Sequence, residues 1–303
     1  MTVLVTGAAG LVGHAVRQRL EGAGTTVVPL DVVARSEDGV EQLACDLLDE
    51  RRLDEVFATT RPDVVVHAGG VSGPMVRTDD PVGIVRVNVD GTANLLDAAR
   101  RHGAGRVVYC SSIAAYGATA IAGRVGEETP LHPTQVYGAT KAAGEQLLEA
   151  YRHQFGLSTA ALRLVAVFGP RRRTDCLIRR LLVDARAGRT TRIEMPADAP
   201  QEYVYVDDAA DAVVAAVGRP DAVGAYNVTG DGARTVEEIV AAVRAVEPGV
   251  RAEPDPPDPA TAEWRGPLDP TAATRDLGWT ARWVFDDAVR AYRDRLAARR
   301  DGG

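Results

Sequence analysis

The sequence predicts an α/β fold, with a doubly wound parallel sheet and a smaller, partly interleaved C-terminal lobe. Strand-like apolar runs alternate with helical patterns through the first half of the chain, which is typical of parallel sheets covered by helices. A glycine-spaced loop joins the first strand to the first helix. The 303 residues, 46 % of them hydrophobic, suffice for one large domain or two lobes.

Strands and helices follow one another in regular order in this first half. The apolar runs predict buried strands at Val3–Val5, Thr26–Leu30, Val64–His67, Arg106–Cys110 and Thr159–Leu164. The patterns between them predict helices at Leu11–Leu20, Arg52–Thr59, Asn88–His102 and Tyr137–Phe155. We therefore expect a parallel sheet with helices on both faces.

The second half of the chain has a different texture. Its patterns predict helices at Cys176–Ala187, Asp207–Val217, Thr235–Val246 and Asp286–Arg299, and strands at Tyr203–Val206 and Tyr226–Val228. A polar loop runs to Pro200, and the Pro- and Asp-rich run Glu253–Pro259 predicts an irregular surface connection. We expect one domain over residues 1–165, with 203–230 returning to it, and a ligand-binding lobe over 166–202 and 231–303.

The composition excludes several classes of function. The net charge of -7 and pI of about 5.4 leave no broad basic field for nucleic acid. No run of about twenty apolar residues predicts a membrane span. Cys45, Cys110 and Cys176 form no CxxC pair, which favours reduced thiols in a cytoplasmic protein, and the five histidines form no spaced cluster that predicts a metal site.

The glycine-spaced loop predicts a dinucleotide site, although glycine spacing alone also fits a plain strand-to-helix turn. Gly7 permits a tight turn, Gly10 lets the backbone approach a pyrophosphate, and Gly13 lets the helix pack on the strand. The helix N-terminus then offers free N–H groups to phosphate oxygens. The candidate contacts are Gly7, Ala9, Gly10, Leu11, Val12 and Gly13. The strand-loop-helix setting favours the phosphate-binding corner of a Rossmann fold over a plain turn.

An acidic residue after the second strand predicts NAD as the cofactor. The carboxylate of Asp31 can accept hydrogen bonds from an adenosine ribose and would repel a 2′-phosphate, while nearby Arg35 opposes that preference. Asp46 and Leu47 follow the next short strand, where they would border the adenine. The alternatives are an ordinary polar loop residue for Asp31 and a helix-capping role for Asp46.

A tyrosine and a lysine that are four residues apart predict the acid/base chemistry. Tyr137 and Lys141 lie on one face of a helix, where the ammonium and a nicotinamide cation would lower the pKa of the tyrosine. Such a tyrosine can exchange the proton of a secondary alcohol during hydride transfer. Ser111 and Ser112 end a strand at the edge where chemistry is expected, and a serine hydroxyl there can bind the reacting oxygen.

The order and spacing of these motifs resemble the extended short-chain dehydrogenase/reductases of the NAD-dependent epimerase/dehydratase family. The resemblance is strong to about residue 170 and weaker through Tyr203–Asp208. The matching segments are Thr6–Gly13, His67–Gly70, Asn88–Thr92, Ser111–Gly117, Tyr137–Lys141, Leu162–Arg163 and Phe168–Pro170.

The resemblance implies a role for each matching residue. Tyr137 corresponds to the acid/base, Lys141 to the lysine that binds the nicotinamide ribose, and Ser112 to the catalytic serine or threonine. Ala68 and Gly69 correspond to the turn that passes the pyrophosphate, and Ser111 and Val165 are further cofactor candidates. Asn88 matches a residue that shapes the active-site helix, with a helix N-cap as the alternative.

The sequence departs from the family at several substrate positions. Ile113 and Ala114 replace the Asp-Glu pair of the dehydratases, so the pattern favours an epimerase. Ala166 replaces an asparagine that holds the substrate diphosphate, and Glu202 stands near an expected arginine and would repel phosphate. Further substrate candidates are Ser72, Ala114, Arg171 and Arg173, of which the arginines offer an anion site or a solvated basic helix end.

These observations leave three functions open. The first is an NAD-dependent sugar epimerase that keeps its cofactor. The second is a net NAD-dependent dehydrogenase or ketoreductase of a non-nucleotide substrate, such as a sugar acid, hydroxy acid or natural-product ketone. The third is a dinucleotide sensor without chemistry.

The resemblance also implies a homodimer. In this family two helices, here Asn88–His102 and Tyr137–Phe155, pair with their mates. The side chains of Leu95, Leu96, Leu147 and Leu148 fit such pairing and equally fit burial against the sheet.

Overall fold

The computed structural model of the protein describes residues 1–73, 76–118, 123–255 and 266–298. Within these ranges the strands are β1 (Thr2–Thr6), β2 (Thr26–Asp31), β3 (Leu43–Ala44), β4 (Val64–His67), β5 (Arg106–Ser112), β6 (Ser158–Leu164), β7 (Ala166–Phe168), β8 (Thr190–Ile193), β9 (Pro200–Tyr205), β10 (Gly224–Val228), β11 (Ala233–Thr235) and β12 (Arg251–Pro254). The α-helices are α1 (Leu11–Gly22), α2 (Glu50–Thr60), α3 (Pro81–Val85), α4 (Gly91–Arg101), α5 (Val136–Phe155), α6 (Leu177–Arg186), α7 (Val206–Val217), α8 (Val236–Val246) and α9 (Phe285–Ala298). None of these helices combines the length and the apolar character that crossing a bilayer requires.

A parallel sheet of seven strands forms the centre of the molecule, in the order β10-β6-β5-β4-β1-β2-β3. Its inner strands are apolar runs that are buried on both faces, as parallel strands require. One face packs against α2, α4 and α5, and the other packs against α1 and α7. The predicted α/β class with a doubly wound sheet is therefore confirmed.

The smaller lobe contains a three-stranded sheet in the order β11-β9-β7 and a two-stranded pair of β8 and β12. An aromatic cluster holds it together, because Phe168 contacts the rings of Tyr203, Tyr205 and Phe285. The predicted cap of α8 forms a capping box, in which the Thr235 hydroxyl accepts from the backbone of Glu238.

Two expectations for the second half of the chain are wrong. The polar loop before Pro200 contains β8, and Glu253 and Pro254 are the last residues of β12 rather than irregular chain. Parallel pairing of β12 with β8 explains both, and it continues into a hydrogen bond from the Asp255 N–H to the Ile193 carbonyl at 2.8 Å. Residues 256–259 of the predicted connection lie outside the described residues.

The return of the chain to the large sheet begins at α7 rather than at residue 203. Tyr203–Tyr205 pair with β7 and therefore belong to the small lobe, whereas α7 packs on α1 and β10 adds an edge to the large sheet. The strand predicted to end at Cys110 continues to Ser112, so both serines stay in the sheet. All these parallel strands present their carboxyl ends along one edge, which becomes the floor of the site.

Candidate active site

The turn between β1 and α1 is built around close backbone contacts. Gly7 has a φ of +65°, and a Cβ there would lie 2.5 Å from the carbonyl oxygen of Ala68. A Cβ on Gly13 would lie 2.2 Å from the Gly7 carbonyl oxygen, so α1 approaches the turn only because position 13 has no side chain. Gly10 is the N-cap of α1 and supplies no side-chain cap, which leaves the N–H groups of the first turn for an external anion. This cradle fits a pyrophosphate.

Asp31 is the last residue of β2, and its side chain binds the backbone of the glycine turn. Its Oδ2 accepts from the Ala9 N–H at 3.0 Å and its Oδ1 accepts from the Val32 N–H at 2.8 Å. A carboxylate held in this way at the carboxyl edge is suited to a ribose, and that role remains a prediction. Arg35 is exposed and pairs with Glu41 at 2.8 Å, so its positive charge has a partner in the same loop.

Asp46 and Leu47 border the other side of the predicted adenine site. The Asp46 carboxylate accepts from the Leu48 N–H at 3.0 Å, while the cap of α2 is Asp49, so the helix-capping alternative for Asp46 is wrong. Leu47 is buried, and its carbonyl accepts from Asn94 on α4. Val165 is buried between β6 and β7, where its N–H donates to the Val228 carbonyl.

A buried polar chain supports the turn that carries Ala68 and Gly69. The Gly69 N–H donates to the Thr6 hydroxyl at 3.1 Å, which lies 2.9 Å from Nδ1 of His67. Nε2 of His67 lies 3.0 Å from the Thr92 hydroxyl, which donates to the Asn88 carbonyl. Burial, with the charge of Lys141, lowers the pKa of His67 to about 3, so the ring is neutral. Its proton belongs on Nε2, because Thr92 already donates elsewhere.

Asn88 extends this chain to α5. It lies inside the π-helical segment Arg86–Asp90, so the N-cap alternative is wrong. Its amide accepts from the Val71 N–H at 2.8 Å and donates to the Val71 carbonyl and the Thr140 hydroxyl, at 3.1 and 3.0 Å. Asn88 therefore joins the segment after β4 to α5, a link that sequence separation had hidden.

Ser112, Tyr137 and Lys141 converge at the end of β5. Ser112 opens the 3₁₀ turn Ile113–Ala115, and its hydroxyl accepts from the Ala114 N–H at 3.2 Å. The first turn of α5 packs directly on this turn, because a Cβ on Gly138 would lie 2.2 Å from the Ala114 carbonyl oxygen. Gly138 thus allows Tyr137 to reach Ser112, a reason that the Tyr-Gly pair alone did not suggest.

Tyr137 has a higher pKa than an exposed tyrosine, mainly because burial disfavours its anion. Hydrogen bonds with the Ser112 side chain and the Gly73 backbone oppose this, as does the positive charge of Arg172. The sequence predicted that Lys141 would lower the pKa of Tyr137, but without a bound cofactor this pKa is raised. Burial dominates, and the lysine ammonium lies 5.9 Å from the centre of the Tyr137 ring.

Lys141 is the only lysine in the sequence, and every other permanently basic side chain is an arginine. It is buried, and its Nζ donates to the Cys110 carbonyl at 2.8 Å. Burial lowers the pKa of Lys141 to about 8. An ammonium differs from a guanidinium in being compact and readily shifted in pKa, so its presence at this one position indicates a specific need for that group.

Ser111 points to a different set of partners from Ser112. Its hydroxyl donates to Glu145 on α5, which also binds Arg163 on β6 at 2.7 Å. Arg163 donates in turn to the Tyr116 hydroxyl at 2.7 Å. All these side chains are buried. The Ser111 side chain therefore belongs to a supporting ion-pair network, which leaves its backbone for any cofactor contact.

The arginine run after β7 splits into two groups. Arg171 lies 3.6 Å from Asp38 and 3.8 Å from Glu37, and Arg173 also pairs with Glu37. These ion pairs oppose a free anion site at Arg171 and Arg173, since both charges are already matched by the loop after β2. The alternative of a solvated basic helix end is wrong as well. The three arginines lie before Cys176, the N-cap of α6, and are therefore not part of that helix. Arg172 instead acts electrostatically on Tyr137.

A cleft of about 510 Å³ opens beside Tyr137, a size that suits a small-molecule ligand. Tyr137 lines it together with Thr78, Pro81, Ile84, Thr134, Gln135 and Val136. Ser72 is exposed next to Gly73, the backbone partner of Tyr137, and the carbonyl of Ala114 lies against Gly138. Ser72 therefore neighbours the backbone partner of Tyr137, and Ala114 contacts the first turn of α5; the contact of either residue with substrate remains a prediction.

Ala166 and Glu202 lie on paired strands of the small lobe. Ala166 pairs with Tyr203 in β9 and offers no polar group. The Glu202 carboxylate accepts from the Thr229 hydroxyl at 2.9 Å and from the Leu268 N–H at 3.1 Å. Its charge is therefore partly satisfied within the lobe, which weakens the predicted repulsion of phosphate. Neither residue supplies a donor for a diphosphate.

The leucines on the two helices of the predicted dimer contact are packed inside the protomer. Leu95, Leu96 and Leu148 are buried, and Leu147 is partly buried against the same core. Burial against the sheet explains these side chains, so they do not argue for a dimer.

Known proteins resemble this chain along nearly its whole length. A family model, the NAD dependent epimerase/dehydratase family, matches residues 3–229. The UDP-glucose 4-epimerase of Mycolicibacterium smegmatis is 33 % identical, over 95 % of this chain and 96 % of that protein. The dTDP-glucose 4,6-dehydratase of Mycobacterium tuberculosis strain H37Rv is 27 % identical, over 97 % of this chain and 94 % of that protein.

The same likeness holds for a solved structure. The UDP-glucose 4-epimerase of Thermus thermophilus, solved in complex with NAD, has a TM-score of 0.89 and 29 % identity to this chain. The match covers 98 % of this chain and 99 % of that one, so both lobes take part in it.

Proposed function

The chain belongs to the NAD-dependent epimerase/dehydratase family, and on that premise we propose that it epimerises a sugar at a secondary alcohol. The convergence of Ser112, Tyr137 and Lys141 at the end of β5 carries the proposal. The chain is an enzyme of the extended short-chain dehydrogenase/reductase type, and its cofactor is NAD.

Tyr137 acts as the acid/base. Its phenolate takes the proton of the substrate hydroxyl. After the sugar ketone has rotated so that its opposite face is reduced, the phenol of Tyr137 returns that proton. Bound NAD supplies the acceptor and donor of hydride. Ser112, hydrogen-bonded to Tyr137, holds the same substrate oxygen and stabilises the charge that develops on it.

Lys141 places a positive charge 5.9 Å from the centre of the Tyr137 ring. Because burial disfavours the phenolate of Tyr137, a positive charge close to the ring is needed for the phenolate to form near neutral pH. Lys141 remains hydrogen-bonded to the Cys110 carbonyl, which anchors the ammonium at the edge of the sheet. The family resemblance assigns its remaining N–H groups to the nicotinamide ribose.

The residues at the glycine turn fit NAD. Gly7, Gly10 and Gly13 leave backbone space for a pyrophosphate, and the uncapped N-terminus of α1 offers its donors. Leu11 and Val12 are the first two residues of α1, and the Ala9 N–H donates a hydrogen bond to Asp31. We assign the ribose of the adenosine to Asp31, whose negative charge disfavours a 2′-phosphate.

The substrate positions favour epimerisation over dehydration. Elimination of water needs a group that exchanges a proton next to Ser112, and Ile113 and Ala114 have none. The similar epimerases of Mycolicibacterium smegmatis and Thermus thermophilus act on a nucleotide sugar by name, which supports a nucleotide-linked sugar here.

Release of cofactor from washed, denatured protein tests the proposal. An epimerase returns the hydride in every cycle, so we expect near-stoichiometric NAD in the supernatant. Protein that is empty and binds added NAD reversibly would contradict a retained cofactor.

Such an empty protein would favour the second candidate, a net dehydrogenase or ketoreductase of a non-nucleotide substrate. The observation that favours this candidate is the lack of a diphosphate donor at Ala166 and Glu202. Continuous formation of NADH with a sugar acid or hydroxy acid would establish it. A sensor without chemistry would instead retain its function in Tyr137→Phe.

We also propose a homodimer, on the family resemblance alone. Sedimentation at micromolar concentration measures it directly, and a mass near 32.1 kDa would contradict it.

A further inference from the structure

The ammonium of Lys141 has an unusual environment for a buried charge. Its hydrogen-bond acceptor is the Cys110 carbonyl, and none of the carboxylates in the described residues forms an ion pair with it. Glu145 is one turn further along α5 but is committed to Arg163 and Ser111. A single neutral carbonyl compensates little of the desolvation of a buried cation, and Glu145 favours the charged form from a distance without binding it, so a further group close to Nζ would add to its stabilisation.

The ring of Tyr109 lies directly under this charge. Nζ of Lys141 is 4.6 Å from the centre of the Tyr109 ring, well within the range of a cation–π contact and closer than it is to the Tyr137 ring. Tyr109 is 1 % exposed, so water does not weaken the contact. The His67 ring packs against Tyr109 at 5.4 Å and helps to fix its orientation.

The catalytic helix is shaped to accept this ring. A Cβ on Gly144 would lie 2.7 Å from the Tyr109 hydroxyl oxygen and 2.9 Å from its Cζ atom. Gly144 is three residues after Lys141, on the same side of α5. The helix can therefore approach β5 closely enough for the lysine to cover the ring only because position 144 has no side chain.

We propose that Tyr109 is a positioning residue that keeps Lys141 charged and in place through the face of its aromatic ring. Tyr109 acts through Lys141 and not on the substrate. Its importance for turnover rests on the proposed role of Lys141, whereas its effect on the charge of Lys141 does not.

The other groups around Lys141 define what the titration will report. Glu145 raises the pKa of Lys141, whereas burial raises the pKa of the Cys110 thiol to about 11, so that this thiol is uncharged where the lysine titrates. His67 is neutral at all working pH values, and Tyr137 has a raised pKa. The titration of Lys141 near pH 8 is therefore well separated from the titrations of His67, Cys110 and Tyr137.

The unique lysine makes a direct measurement possible. Growth on ¹³C-labelled lysine labels one side chain in the full-length protein, and the chemical shift of its Cε atom reports the ionisation of Lys141. The titration is recorded with and without added NAD for the wild type, Tyr109→Phe and Tyr109→Leu. Phe retains the ring and removes only the hydroxyl group, so it is the matched control.

We expect the Lys141 pKa to fall by about one unit in Tyr109→Leu and to stay near the wild-type value in Tyr109→Phe, as expected when a desolvated cation–π contact is lost. In turnover, the alkaline limb of the kcat profile should move to lower pH in Tyr109→Leu only. An unchanged pKa in Tyr109→Leu would overturn the proposal, as would an equal fall in both variants.

A graded series covers the case in which Tyr109→Leu does not fold. Phenylalanines with one, two and three ring fluorines at position 109 keep the shape of the side chain and progressively weaken the negative face of the ring. The Lys141 pKa should fall stepwise along the series, and a constant pKa would refute the proposal. Because this titration needs no turnover, it stands even where the proposed epimerisation fails.

Discussion

The buried ion pair between Glu145 and Arg163 should be a large contributor to stability that a single isosteric change can remove. Glu145 accepts from Nη2 of Arg163 at 2.7 Å and from its Nε at 3.0 Å, and both side chains are at most 7 % exposed. Glu145→Gln keeps the shape and removes the charge, which leaves a buried guanidinium without its counter-ion. Breaking such a pair from one side costs about 3–5 kcal/mol.

Urea unfolding of Glu145→Gln measures this cost, and Glu55→Gln is the matched control. Glu55 pairs with both Arg51 and Arg52, but its side chain is 44 % exposed, so the loss of its charge should cost less than about 1 kcal/mol. The double variant Glu145→Gln/Arg163→Gln should lose less than the sum of the single changes. A cost below about 1 kcal/mol for Glu145→Gln would show that the charge of Glu145 contributes little to the stability of the fold.

Single contacts elsewhere in the molecule give three more expected outcomes. Gly138→Ala should lower the melting temperature and turnover, because its Cβ would overlap the Ala114 carbonyl, whereas Gly22→Ala, with open space around it, should leave both nearly unchanged; equal effects would count against this packing. The pKa of His67 is about 3 in the folded protein and 6.5 in the unfolded chain. Its contribution to the free energy of unfolding is therefore fully present above pH 6.5 and is lost as the pH falls towards 3. Unfolding free energies should therefore drop by about 1.4 kcal/mol per pH unit below pH 6, and a slope unchanged in His67→Gln would argue against this assignment. Asp31→Ser should weaken NAD binding and reduce the preference for NAD over NADP at least tenfold in a fluorescence titration, and an unchanged preference would exclude the ribose role.

The large sheet could be predicted from the sequence because its strands are continuous apolar runs. The predicted strand Val64–His67 has the observed bounds, and the other predicted strands of this sheet differ by at most two residues at either end. The missed strands β7, β8, β11 and β12 are short and lie in the small lobe, where pairing partners rather than apolar runs decide the structure.

The site was predictable as a set of motifs but not as a set of contacts. Spacing in the sequence predicted that Tyr137 and Lys141 act together, and the two residues share α5. It could not reveal that Thr6, His67 and Thr92 form one polar chain, since 61 residues separate the first two. It also favoured Arg171 and Arg173 over Arg172, because their pairing with Glu37 depends on a loop more than a hundred residues earlier.

The proposed reaction is epimerisation without net redox change, and a single assay of sugars and cofactor measures both parts of it. UDP-galactose is incubated with washed protein and no added cofactor, and the sugars are followed by NMR while absorbance at 340 nm is recorded. We expect a mixture of UDP-galactose and UDP-glucose, no accumulation of NADH, and no conversion by Tyr137→Phe. Conversion by Tyr137→Phe at the wild-type rate, or release of NADH in proportion to the substrate consumed, would contradict it.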